Sequence, residues 1–101
     1  MTNAKTLTAL ADPTRRRMFD RLRQRPRTVG ELARHARVSQ PAASQHLKVL
    51  RRARLVAVRR AGTRHFYSAN PAGLVALRRY VEGLWADALR AYAEQDTTGH
   101  D

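Results

Sequence analysis

A chain of 101 residues without a single cysteine has room for one domain, and it has no thiol for a disulfide, a thiolate metal site or a cysteine nucleophile. Its 20 lysines and arginines stand against eight carboxylates, a formal charge of +12 that points to a polyanionic partner. No stretch nears the roughly 20 apolar residues of a membrane span, and the first ten residues have no apolar signal core. A cytoplasmic protein without a membrane partner is the expectation.

The charge is unevenly placed. Residues 13–65 hold 16 basic side chains and two acids, Asp20 and Glu31, whereas residues 66–101 hold three basic and five acidic ones. The polyanion therefore belongs to the first two thirds of the chain. Hydrophobic residues make up 43%, enough for a folded core.

In chain order, residues 3–11 form a short helix with Leu7 and Leu10 as its apolar contacts. Asp12 and Pro13 then supply a helix cap and a first helical position that needs no N–H. The helix over 13–24 buries Met18, Phe19 and Leu22, carries Arg15, Arg16, Arg17 and Arg21 outside, and ends before Pro26. "TVGEL" opens the next helix as a capping box of Thr28 and Glu31, with Leu32, Ala33 and Ala36 facing inward. Ser39 caps the following helix, so only Arg37 and Val38 separate the two. This is a helix-turn-helix pattern, without the glycine often found in such turns.

The period then falls from 3.6 to 2. Residues 55–60 and 64–68 read as strands joined by a loop of Ala61, Gly62 and Thr63. Asn70 caps a last helix that starts at Pro71 and runs to about residue 95. Its apolar stripe of Leu74, Leu77, Val81, Leu84, Ala88 and Ala91 or Tyr92, flanked by Trp85 and Leu89, exceeds what one small core covers and predicts a second copy of the chain as partner. Residues 1–96 make one domain, and residues 97–101 are expected to be a disordered tail.

Helix, helix, helix-turn-helix, hairpin, helix is the order of a winged-helix DNA-binding domain, mainly α with a small β-hairpin. In a major groove, the helix capped by Ser39 would present its N-terminal polar residues to base edges. Ser39, Gln40, Ser44 and Gln45 have suitable donors and acceptors, and Ala42 suits a thymine methyl. His46 and Lys48 at the margins, Arg59, Arg60, Arg64 and His65 on the hairpin, and Arg15 and Arg16 in the second helix are the candidate backbone contacts. Each group also has a plain structural use, as a solvated helix face or as a charged strand edge that deters aggregation.

The runs "LADPTRR", "SQPAASQHLKVLRRARLV" and "GTRHFYSAN" resemble the ArsR/SmtB family of small bacterial repressors, over about residues 7–92. The resemblance implies a winged-helix homodimer held by its first and last helices, here through Leu7, Leu10, Leu77, Val81, Leu84, Trp85, Ala88 and Tyr92. It also implies repression from an inverted-repeat operator and release by a signal such as a metal or an oxidant. The Cys-Val-Cys motif of metal-sensing members is matched here by Thr28, Val29 and Gly30, which offer no thiolate. Their second metal site pairs histidines and carboxylates across the last helices. This chain has Glu82, Asp87 and Glu94 there, with its nearest histidine, His100, in the expected tail. Carboxylates alone suit zinc and nickel poorly, and His35, His46 and His65 are too scattered to form a site. No metal or other cofactor is expected, and the inducer is not readable.

Nothing in the sequence brings a nucleophile and a base together, so no enzyme is expected. Two alternatives to a metal-independent repressor stay open: an architectural protein that binds nucleic acid by charge alone, and a regulator responding to a small molecule near Trp85 and Tyr92.

Overall fold

The computed structural model describes residues 2–98. Five helices and one hairpin follow in the order α1 (Thr2–Ala11), α2 (Pro13–Gln24), α3 (Val29–Ala36), α4 (Gln40–Arg52), β1 (Val56–Ala61), β2 (Arg64–Ala69) and α5 (Pro71–Thr98). The helix starts follow from their caps. Asp12 accepts the Arg15 N–H at 3.0 Å, Ser39 accepts that of Ala42 at 3.2 Å, and Asn70 accepts that of Ala72 at 3.0 Å. The Thr28–Glu31 box is closed in both directions.

Helices α3 and α4 end without glycine. The N–H of Val38 reaches the carbonyl of Ala33, that of Arg37 reaches Arg34, and Arg37 itself sits at φ 58° and ψ 44°. At the end of α4 the N–H of Leu55 reaches Leu50, that of Arg54 reaches Arg51, and Arg54 has φ 60°. Both are Schellman ends with an arginine in the left-handed position that glycine usually takes. This is how the helix-turn-helix turns without a glycine.

Met18, Phe19 and Leu22 of α2, Leu32 and Ala33 of α3, and Ala43, Leu47 and Leu50 of α4 meet in one core, closed by Ala9, Ala53, Leu55 and Val56. In α1 the expected contacts are redistributed. Ala9 and Thr6 are the fully buried residues, Leu10 packs partly against the core, and Leu7 remains 43% exposed. Small side chains let α1 approach closely, and the larger Leu7 is left on the outer side.

The hairpin pairs Val56 with Ala69 through to Ala61 with Arg64. The connection is thus two residues, Gly62 and Thr63, rather than three, with Gly62 at φ 64°. A further bridge ties Tyr67 to Arg27, just before α3.

The first turns of α5 pack on α1, with Leu74 against the core and Leu77 half-buried, and the helix then leaves the body. Every described side chain from Arg78 to Gln95 is exposed. The molecule measures 68 × 24 × 23 Å, and its radius of gyration of 18.1 Å far exceeds the ~13 Å of a 100-residue globule. The helix runs to Thr98, about one turn past the expected end and into the segment expected to be a tail. Residues 99–101, the rest of that segment including His100, lie outside the described residues.

Candidate nucleic-acid interface

Helix α4 is two-sided. Ala43, Leu47 and Leu50 are buried, and Gln40, Pro41, Ser44, Gln45, Lys48, Arg51 and Arg52 are exposed. The burial gives Gln40, Ser44, Gln45 and Lys48 a common outward face. Among the described residues, none of these four forms a side-chain hydrogen bond or ion pair. Their polar groups are held out to solvent by a rigid scaffold, which suits them to contact a ligand.

Other expected members of the site are placed differently. Ser39 uses its hydroxyl oxygen as the cap of α4. Ala42 is half-buried, one helical turn before His46. His46 is also half-buried, with Nδ1 3.5 Å from the Arg15 guanidinium. A ring nitrogen that accepts there leaves Nε2 protonated.

Arg15 and Arg16 serve α1. Arg15 donates from Nε to the Ala9 carbonyl at 2.8 Å and from Nη2 to Thr8 at 3.2 Å. Arg16 donates to Leu10 at 3.0 Å. The last turn of a helix leaves carbonyls without intrahelical partners, and two guanidinium groups fill that need. Arg27, which no sequence signal singled out, is 6% exposed and does the same for α2, reaching the Arg21 carbonyl and Gln24 Oε1.

The cations thus fall into two sets. Those of α2 and its flanks are largely committed inside the chain, with Arg23 on Asp20 and Arg25 on Glu31. By contrast, the side chains of Lys48, Arg51 and Arg52 of α4 and of Arg59 and Arg60 of the hairpin, with that of the neighbouring His65, are exposed and have no hydrogen-bonding or ionic partner among the described residues. Arg51 and Arg52 extend the α4 surface beyond the expected readers, and their place on the wheel, next to Ser44 and Gln45, was the available signal. Pro41, also on this face, carries no such signal in its chemistry.

The register splits the hairpin's basic residues. Directly paired residues point to one side of a sheet, so Arg60 and His65 share the face that Val58 and Tyr67 turn toward the body. Arg59, Phe66, Ala61 and Arg64 share the other, where the Arg64 guanidinium carbon lies 5.6 Å from the Phe66 ring centre. A cleft of about 340 Å³ separates this wing from the helices, lined by Thr28, Val29, Gly30, Gln40, Thr63, Arg64, His65 and Tyr67.

The local field is positive. Arg21 beside His35, aided by partial burial and by Arg27, pushes the imidazole below its usual range. Glu31 is held down to about 2, first by the Thr28 backbone N–H and further by Arg25. Among the described residues no cluster of three or more histidines and carboxylates could hold a metal ion, and no helix is long and apolar enough to cross a membrane.

The residues expected at a dimer interface, Val81, Leu84, Trp85, Ala88 and Tyr92, lie on the projecting part of α5, where Trp85 is 66% and Tyr92 71% exposed. Leu77 is half-buried on the chain's own body.

A helix-turn-helix whose second helix offers an unpaired polar face, followed by a basic two-stranded wing, defines a winged helix-turn-helix DNA-binding protein. A family model described as a helix-turn-helix domain matches residues 10–59. The chain is 54% identical over 94 residues to the HTH-type transcriptional regulator Rv2034 of Mycobacterium tuberculosis, spanning 92% of this chain and 88% of that protein. Among solved structures, an ArsR-like transcriptional regulator from a Rhodococcus species superposes with a TM-score of 0.83 at 28% identity, covering 96% of this chain and 92% of that one. The homodimeric winged helix-turn-helix DNA-binding domain of a possible ArsR-family regulator from Mycobacterium bovis superposes with a TM-score of 0.68 at 29% identity, covering 85% and 80%. This chain belongs to the ArsR/SmtB family of transcriptional regulators.

Proposed function

We propose that the protein is a cytoplasmic repressor that acts as a homodimer on an inverted-repeat operator, without a metal ion and without enzymatic activity. One observation carries the dimer: α5 leaves the body with Val81, Leu84, Trp85, Leu89 and Tyr92 at least half exposed. Apolar residues at this spacing need a second helix to cover them, and a second copy of α5 carries the same stripe. The homodimeric relative from Mycobacterium bovis supports the same assembly. Residues 1–96 act as one DNA-binding and dimerisation unit.

Within each half-site, Gln40, Ser44 and Gln45 contact base edges, Lys48 and the hairpin cations contact the flanking backbone, and α4 lies in the major groove. The wing's two basic faces let it touch the strand on either side. Arg15 and His46 act behind this surface, holding α4 to the end of α1.

The test is a fluorescence anisotropy titration of the full chain on the DNA upstream of its own gene. A scrambled duplex of equal length is the control, both at about 150 mM salt and with EDTA in parallel. Tight binding to the native fragment alone, unchanged by EDTA, is the expected outcome. Equal binding to both duplexes on a scan that includes other candidate promoters would remove sequence-specific reading and leave charge alone. Loss of binding in EDTA would overturn metal independence.

A further inference from the structure

The turn that leaves α4, at Ala53 and Arg54, meets the first turn of α5 at one tight place. The Gly73 N–H, in the first turn of α5, donates to the Arg54 carbonyl at 2.8 Å, and the Asn70 N–H donates to Leu55 at 2.8 Å. The left-handed turn at Arg54 aims that carbonyl at α5. A β-carbon on Gly73 would lie 2.6 Å from the Arg54 oxygen and 2.7 Å from the Ala53 oxygen. Both are backbone atoms in a segment where Ala53 and Leu55 are buried, so neither can move aside alone. Gly83, farther along α5, has no atom within 4 Å of such a carbon.

We infer that Gly73, packed on the Arg54 carbonyl, is a positioning residue that sets the angle between α4 and α5, and thereby the half-site spacing the protein accepts. This rests on the dimer reading, because only a dimer held through α5 converts that angle into a distance between two copies of α4. The leverage is large. Restoring ordinary contact at a β-carbon on residue 73 requires a shift of roughly 0.8 Å. Across one helical pitch of ~5.4 Å, that is a tilt of about 8°. At the centre of the apolar stripe, ~20 Å along α5 at 1.5 Å per residue, the tilt amounts to about 3 Å, close to the 3.4 Å rise of one base pair.

The experiment first footprints the native upstream fragment to define a half-site, then measures binding to duplexes carrying two copies of it, with the spacer varied one base pair at a time through a full turn. Proteins compared are wild type, Gly73→Ala, Gly83→Ala and Arg54→Gly, with sedimentation and circular dichroism confirming dimer and fold. Wild type and Gly83→Ala are expected to share one preferred spacing. Gly73→Ala should move that optimum by about one base pair or reduce the preference at least tenfold, with affinity for a single half-site unchanged within about twofold. Arg54→Gly relieves the left-handed strain and also lets the turn sample more conformations, so it should broaden the profile while the fold stays at least as stable. If Gly73→Ala fails to fold, Arg54→Gly decides. A wild-type dimer whose spacing preference survives in every folded variant at these positions overturns the inference alone. A wild-type protein that sediments as a monomer, or shows no spacing preference, overturns the dimer reading and the inference with it.

Discussion

Arg27 and Tyr67 exchange both backbone hydrogen bonds, at 2.9 and 2.8 Å, and so fasten the wing to the chain two residues before α3. The same Arg27 closes α2 through its side chain, which places one residue at the junction of helix, turn and sheet. Substituting Arg27→Met keeps the backbone bridge and the aliphatic stem but removes the guanidinium donors. Hydrogen bonds from a charged donor contribute about 1.5–3 kcal/mol, so a loss of roughly 2 kcal/mol in a urea melt is expected. A loss below about 0.5 kcal/mol would show that water replaces the donors freely.

The two left-handed arginines predict the opposite sign. A non-glycine residue there costs about 1–2 kcal/mol, offset by the ~0.5–1 kcal/mol of extra unfolded-chain entropy that glycine brings. Arg37→Gly should therefore stabilise the fold by roughly 0.5 kcal/mol. A lower thermal midpoint for this variant would mean that the Arg37 side chain makes a compensating contribution.

Gln45 and Arg64 should separate base reading from backbone contact. Gln45→Ala is expected to weaken operator binding by about 1–3 kcal/mol and to leave random DNA nearly unchanged. Arg64→Ala should weaken both about equally and flatten the salt dependence. With about four phosphates neutralised per subunit, log K against log salt should fall with a slope near −7 for wild type. Equal losses for the Gln45 variant on both duplexes would remove it as a reader.

The projecting helix should be needed for assembly. Leu84→Asp with Leu89→Asp places two carboxylates in the stripe without touching the core, since both leucines are about half exposed. The dimer dissociation constant should rise by roughly two orders of magnitude or more, because buried unpaired charges are costly. Sedimentation velocity reads this directly, and a dimer of unchanged strength would place the interface elsewhere.

Acid stability should depend on the capping box. The Thr28 N–H and Arg25 hold the Glu31 carboxyl down to about 2 in the folded chain, against 4.5 for a free glutamate. Its contribution is therefore fully present above about 4.5 and is lost as the pH falls toward 2. Arg25 and Thr28 are the partners released. Glu31→Gln should flatten that part of the stability profile. A wild-type curve that is already flat between these values would show that the carboxylate is not held as described.

Much of this protein was determined locally. Asp12 with Pro13, Thr28 with Glu31, and Ser39 each mark a helix start because a short polar side chain satisfies the free N–H groups beside it. The spacing of Ala43, Leu47 and Leu50 likewise places Gln40, Ser44, Gln45 and Lys48 outside before any tertiary contact is known. The apolar stripe of α5 was legible for the same reason. The tertiary structure decided what depends on neighbours distant in sequence. It committed Arg15, Arg16 and Arg27 to the carbonyl ends of helices, although nothing in their composition separates them from the exposed arginines. It also set the hairpin loop at two residues, which determined which basic side chains share a face, since alternate residues of a strand point to opposite sides. And it pressed Gly73 against the Arg54 carbonyl, a close approach that only the packed chain creates.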